Sequence, residues 1–190
     1  TFQHPIQIHM GSDGDPFASH VYRHFMEQTP ERNNIKYSIL TNGLMFKEFH
    51  GQVPYVISNL NELGVSIDGA SKETYERLRL GGKWEKIIEG LECMAEQKEK
   101  HGFKFNLYFV VQKENYHEME DIMLVGKQYN ADRVFLSRIH DWNTLNNFSE
   151  HNIFDSTHPQ YLAFREKLAD LTNNYGASDL VDPNTLRQLH

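Results

Sequence analysis

Apolar and polar residues alternate with period two in short segments spread along the chain. Ile6, Ile8 and Met10 stand against Gln7 and His9 within Pro5 to Met10. Leu63, Val65 and Ile67 oppose Gly64, Ser66 and Asp68, and Phe103, Phe105, Leu107, Phe109 and Val111 oppose Lys104, Asn106, Tyr108 and Val110. Such alternation predicts strands with one apolar and one polar face. Lys36 to Thr41 and Arg133 to Ile139 bring the predicted strands to five. Between them the spacing is helical: Phe17, Val21 and Phe25 over 17–28, then Trp84, Ile87, Ile88, Leu91, Met94 and Ala95 over 83–100. Ser71 is a suitable N-cap for a helix that Gly81-Gly82 stops. Another helix opens at Glu114-Asn115 and runs to about Gln128, and the last spans Pro159 to Asn173, followed by an irregular tail. Leu44 to Asn61 reads as a short, irregular helical connection.

Repeated strand–helix units imply right-handed crossovers and a parallel sheet, which places the chain in the α/β class. A parallel sheet buried on both faces would read as unbroken Val, Ile and Leu. Alternation instead predicts helices over the apolar face and a concave, polar interior that a ligand lines; a sheet half open to solvent is the plainer alternative. Ligands of α/β proteins gather at the carboxyl ends of strands. Those ends carry Gly11, Ser12, Gly14 and Asp15; Thr41 and Asn42; Ser66 and Asp68; and Gln112 and Asn115. Ordinary turns and caps use the same residue types: Asp68 before Gly69 can form a turn, Asn42-Gly43 is a common one, and Asn115 can cap a helix. Lys104, Asn106, Tyr108 and Arg138, with Asp141 and Trp142 beyond the last strand, are candidates for a substrate side, against salt bridges, solvated side chains and loop packing.

Composition narrows the classes. The 190 residues suffice for one core, with no linker-like or low-complexity segment, and no apolar run reaches membrane-spanning length. A formal charge of −7 without a basic block argues against a general nucleic-acid binder. The single cysteine, Cys93, excludes an intramolecular disulfide or a multi-cysteine metal site within the chain and makes a reducing cytoplasm the expected compartment. It flanks the apolar stripe of its helix and reads as a packed, inert thiol. No metal site is expected: His117-Glu118 lacks a second histidine at helical spacing. A metal-dependent hydrolase using His9, Asp13, Asp68, His140 and Asp141 would need paired histidines on one strand, which Gln7-Ile8-His9 does not supply.

Five ordered stretches carry a family resemblance. Ile8-His-Met-Gly-Ser-Asp-Gly-Asp-Pro-Phe17 resembles the glycine-rich strand end of radical S-adenosylmethionine (radical SAM) enzymes, Gly-x-Gly-Glu/Asp-Pro, and Leu40-Thr-Asn-Gly43 resembles the strand end that follows it. Val65-Ser-Ile-Asp-Gly-Ala-Ser-Lys-Glu-Thr-Tyr-Glu-Arg-Leu-Arg-Leu-Gly-Gly82 is similar to their fourth-strand segment and is the most specific match. Phe109 to Glu118 and Arg138 to Trp142 continue the likeness, and Val181-Asp182 with Asn184 and Leu186 resembles the segment before the cysteine-rich domain of the SPASM-type branch.

The resemblance implies a partial (β/α) barrel of six parallel strands, of which this chain supplies the second to the sixth. On this view residues 1–150 are the partial barrel, and 151–190 a helical extension toward a further domain. The first strand, with a Cys-x-x-x-Cys-x-x-Cys loop for a [4Fe–4S] cluster, is expected upstream of Thr1. The implied cofactors of the intact protein are S-adenosylmethionine and that cluster, which together generate a 5′-deoxyadenosyl radical that attacks a substrate, in this branch a peptide or protein. The likeness assigns the methionine ammonium to Gly11, Ser12, Gly14 and Asp15, and the ribose or other polar groups to Ser66 and Asp68. Thr41, Asn42, Gln112 and Asn115 are weaker candidates for the same cofactor. Without the cysteines, this chain alone is expected to be inert as a radical initiator. A non-catalytic descendant that keeps the barrel as a binding module is the competing reading.

Overall fold

A computed structural model describes residues 6–11, 14–29, 31, 34–143 and 146–190. In chain order the elements are β1 (Ile6–Met10), α1 (His20–Gln28), β2 (Ile35–Thr41), α2 (Phe46–Phe49), α3 (Pro54–Ser58), β3 (Leu60–Ser66), α4 (Lys72–Leu78) and α5 (Trp84–His101). Then come β4 (Lys104–Val111), α6 (Asp121–Gln128), β5 (Arg133–Arg138), α7 (Phe148–His151), α8 (Tyr161–Tyr175) and α9 (Pro183–Leu189). The five strands form one parallel sheet in the order β1-β2-β3-β4-β5, the layout of a partial (β/α) barrel. The chain divides into two compact units: the part up to Ser66 with Glu85–Asn106, and Ile67–Trp84 with Leu107–His190.

In the first unit β1 pairs with β2 from Ile6↔Ile35 to Met10↔Ile39, and β2 pairs with β3. The second register slips: Tyr37 faces Leu60 but Ser38 faces Glu62, so Asn61 bulges out. A bulge breaks the two-residue period. Leu60 and Leu63 are both buried although three residues apart, which is why alternation alone places the strand's start at Leu63. Ile39, Leu63 and Val65 are buried, as are Ile87, Leu91 and Met94 of α5. The helix comes close at one point. An added Cβ at Gly90 would stand 2.5 Å from the Gly43 carbonyl oxygen, and one at Gly43 (φ +80°) would stand 2.5 Å from Ile87 Cδ1. Gly90→Ala should therefore destabilise the fold by about 2 kcal/mol, despite alanine's better helix propensity, because backbone must move. Urea unfolding of this variant beside Gly51→Ala, where an added Cβ meets nothing within 4 Å, checks it.

In the second unit the apolar side of β4 (Leu107, Phe109, Val111) and of β5 (Val134, Leu136) is buried. On α8, Phe164, Leu168 and Leu171 form the buried stripe. The predicted helix from Glu114 divides into a 3-10 turn, Tyr116–Glu118, and α6. Nor is the tail irregular. Val134 N–H donates to the Leu180 carbonyl at 2.7 Å, Val181 bridges Val134 in parallel, and Asp182 caps α9 while pairing with Arg133 at 2.7 Å. On the opposite, polar face of the strands, Gln7, His9 and Lys36 are exposed and Ser38, Ser66, Tyr108 and Val110 are half-buried. Among the described residues, no helix is long and apolar enough to cross a membrane.

Candidate functional site

The exit of β1 is shaped by glycine. Gly11 has φ +117°, and a Cβ there would collide with the Leu40 carbonyl oxygen, so the loop runs hard against β2. Gly14 (φ +108°) faces open space. Ser12 lies outside the described residues. Asp15 works inward. Its Oδ2 accepts the Thr41 hydroxyl and the Asn42 N–H, both at 2.6 Å, and its Oδ1 accepts the N–H groups of Phe17 and Ala18 at 3.0 and 3.1 Å. Thr41 Oγ1 accepts the Gly43 N–H and Asn42 Oδ1 the Leu44 N–H, each at 3.0 Å. Asp15, Thr41 and Asn42 are thus brought together as one network that locks two strand ends, with the carboxylate's acceptor capacity used inside the chain. Ser66, at the end of β3, keeps a half-buried hydroxyl with no partner among the described residues.

A second network lies in the other unit. Asp68 Oδ2 pairs with Arg79 Nη2 at 2.8 Å, and its Oδ1 accepts the Val110 N–H at 2.9 Å. Asn115 is fully buried: its Nδ2 donates to the carbonyls of Asp68 (3.0 Å) and Val110 (2.8 Å), and its Oδ1 accepts the Gln112 N–H at 2.8 Å. Burial pushes the Asp68 carboxyl above the usual aspartate range, against the lowering pull of Arg79 and of the Val110 N–H. Buried Glu118 binds the Ala70 N–H and the Ser71 hydroxyl, each at 2.6 Å, so Ser71 caps α4 while held from behind. Arg79 and Glu118 escaped sequence reasoning. Nothing in local spacing sets a buried glutamate 47 residues from its partner serine apart from a surface one. Gln112 contributes only its backbone here; its side chain is half-buried without a partner among the described residues.

Of the candidate substrate residues, Lys104 and Asn106 belong to the first unit and Tyr108, Arg138, Asp141 and Trp142 to the second. Lys104 is exposed. Asn106 donates to Glu62 at 2.8 Å and leaves its own Oδ1 buried without a donor. Tyr108 stacks on Phe135, ring centroids 4.8 Å apart, and the Arg138 guanidinium sits 4.4 Å over the Phe154 ring. Asp141 accepts the Asn143 N–H, and Trp142 is 77% exposed, edge-on to His140. Among the described residues no three His, Cys, Asp or Glu side chains are arranged to hold a metal ion; of the hydrolase candidates, Asp13 lies outside them. Cys93 is buried 3.6 Å from His50 Nδ1, and burial raises its thiol, which disfavours a thiolate ligand. The described residues therefore do not fit an iron–sulfur cluster.

A family model described as the Radical SAM superfamily matches residues 2–125. No curated protein matches the chain. Among solved structures, SuiB of Streptococcus suis bound to precursor peptide SuiA is similar with TM-score 0.62 and 14% identity, over 93% of this chain and 37% of that one. Archaeal TYW1 follows with TM-score 0.53 and 14% identity, over 90% of this chain and 50% of that one. anSMEcpe with bound AdoMet and Kp18Cys peptide has TM-score 0.56 and 16% identity, over 93% and 49%. At such identities these likenesses show the fold alone, and the chain spans between about a third and a half of each structure's length.

Proposed function

The chain belongs to the radical SAM superfamily, and from that membership we propose that it is the core of an S-adenosylmethionine enzyme that modifies a peptide or protein. The observation that carries the reading is the β1 exit, where Gly11 and Gly14 hold left-handed backbone beside an Asp15 that ties the loop to β2. Backbone there can approach a ligand closely, and the space over Gly14 is open. Asp15 and Thr41 then act as the loop's scaffold, and the ligand's ammonium group meets main-chain oxygens. Ser66 brings an uncommitted hydroxyl to the same unit's strand ends, suited to a ribose or carboxylate oxygen. The peptide substrate rests on SuiB and anSMEcpe, whose structures hold peptides. Where the family's iron–sulfur cluster is bound, it would supply an electron to S-adenosylmethionine; buried Cys93, whose thiol burial raises, is not suited to hold it.

The deciding experiment uses the intact protein, reconstituted anaerobically with iron and sulfide and reduced with dithionite. Conversion of S-adenosylmethionine to 5′-deoxyadenosine is expected; absence of cleavage would overturn the proposal. Binding without cleavage would mark a non-catalytic module. Ser66→Ala should raise the Kd for S-adenosylmethionine about fivefold, the loss of one neutral hydrogen bond of about 1 kcal/mol, and leave the unfolding temperature unchanged. Titration calorimetry beside a thermal melt reads both.

A further inference from the structure

Within the first unit, the last turns of α5 and the 3-10 turn His50–Gln52 enclose a cavity of about 180 Å³. Its polar lining is His50 on one side and Gln97, Lys100 and His101 on the other. We propose that this cavity binds a small tetrahedral dianion, a sulfate or the phosphate group of a small molecule, between the Lys100 ammonium and the imidazoles of His50 and His101. The site does not depend on the S-adenosylmethionine reading.

The lining has donors and cations but no carboxylate: among the described residues, no Asp or Glu side chain borders the cavity. The side chains of Gln97, Lys100 and His101 have no hydrogen-bond or ion-pair partner among the described residues. His50 Nδ1 lies 3.2 Å from the Phe46 carbonyl and 3.1 Å from that of Lys47; carbonyls only accept, so Nδ1 carries the proton. A second proton, at Nε2, then makes this ring a cation. The Cys93 thiol, 3.8 Å from Nε2, adds no negative charge, because burial disfavours its ionisation. Of the carboxylates on α2 and α5, Glu48 and Glu89 are paired with Lys86 and Lys47 at 2.7 and 3.2 Å, and Glu92, Glu96 and Glu99 are exposed outside the lining. Burial, and then the Lys100 charge beside it, lowers the His101 pKa. A dianion between these groups would turn that repulsion into shared attraction. The carbonyl end of α5 opposes an anion, but it amounts to about half an elementary charge, against a full charge on Lys100 and one more on each protonated ring. Gly102 N–H already occupies the Lys98 carbonyl at 2.8 Å. The volume lies below the roughly 300 Å³ at which sites for drug-sized ligands begin, which suits a compact ion.

Calorimetry on the intact protein without S-adenosylmethionine tests this with sodium sulfate, which stays doubly charged from pH 6 to pH 8, at an ionic strength fixed with sodium chloride. Saturable binding is expected, at least fivefold tighter at pH 6 than at pH 8, since an anion that favours the imidazolium forms is favoured by them in return. Lys100→Gln should weaken sulfate tenfold or more, while Lys167→Gln on α8 leaves it unchanged. His101→Gln is the second variant should the first fail to fold, and it should weaken binding at pH 6 more than at pH 8. Inorganic phosphate at pH 8 separates the sources: tighter binding than sulfate identifies a phosphate group, and equal or weaker binding a sulfate. No saturable binding of either ion, an affinity for sulfate independent of pH, or equal affinities in the Lys100 and Lys167 variants would overturn the proposal.

Discussion

Asn115→Ala will lower the unfolding free energy by about 3 kcal/mol, the largest single-residue effect expected among the polar side chains of the candidate site. The side chain is fully buried and occupies three backbone groups at once: the carbonyls of Asp68 and Val110 and the N–H of Gln112. Alanine leaves all three without a partner in a place water does not reach, and an unmade buried hydrogen bond costs more than a made one contributes. Asn115→Asp separates this from simple loss of volume. Its carboxylate still accepts from Gln112 but cannot donate to two carbonyls, so it should be at least as damaging at neutral pH. Urea unfolding of both variants reads the result; an Asn115→Ala midpoint close to that of the wild type would remove Asn115 as the staple between the Asp68 turn and β4.

Arg79→Met should cost about 2 kcal/mol at pH 7, below the usual figure for a broken buried pair because Arg79 retains some exposure. The penalty should shrink toward pH 4. Burial already raises the folded Asp68 carboxyl above its unfolded value. Between those two values the folded state holds more protons than the unfolded one, so stability falls as pH rises through the window and is fully present below it. Without Arg79 the folded carboxyl moves higher still and the window widens upward. Asp68→Asn should abolish this pH dependence, and in the Asp68→Asn/Arg79→Met double variant the second substitution should cost less than it does alone. An Arg79→Met penalty equal at pH 4 and pH 7 would show that the ion pair is not its source.

Much of the architecture was readable beforehand. The strand faces, the α5 stripe and the Ser71 cap follow from periodicities of 2 and 3.6 and from a cap whose chemistry is local; Ser71 Oγ accepts the Thr74 N–H at 3.3 Å. The misread boundaries have local causes. β3 begins three residues early because Asn61 bulges. The helix expected from Glu114 breaks because the Asn115 side chain folds back on Gln112 and Glu118 is drawn to Ala70 and Ser71. The tail is ordered by β5, whose edge it covers, and not by a periodicity of its own.

For the polar residues the division is sharper. Pattern alone brought Asp15, Thr41, Ser66, Asp68, Gln112 and Asn115 to strand ends, since hydrophobic alternation dictates where strands stop. Which of them spend their hydrogen bonds inside the chain was decided by contacts across 26 to 47 residues, such as Asp15 with Thr41 and Asn115 with Asp68. Burial of apolar surface leaves a periodic trace in the order of residues. The pairing of a carboxylate or amide with a donor far along the chain leaves none, because the same side chain serves a turn, a cap or a ligand, and only the folded surroundings select among them.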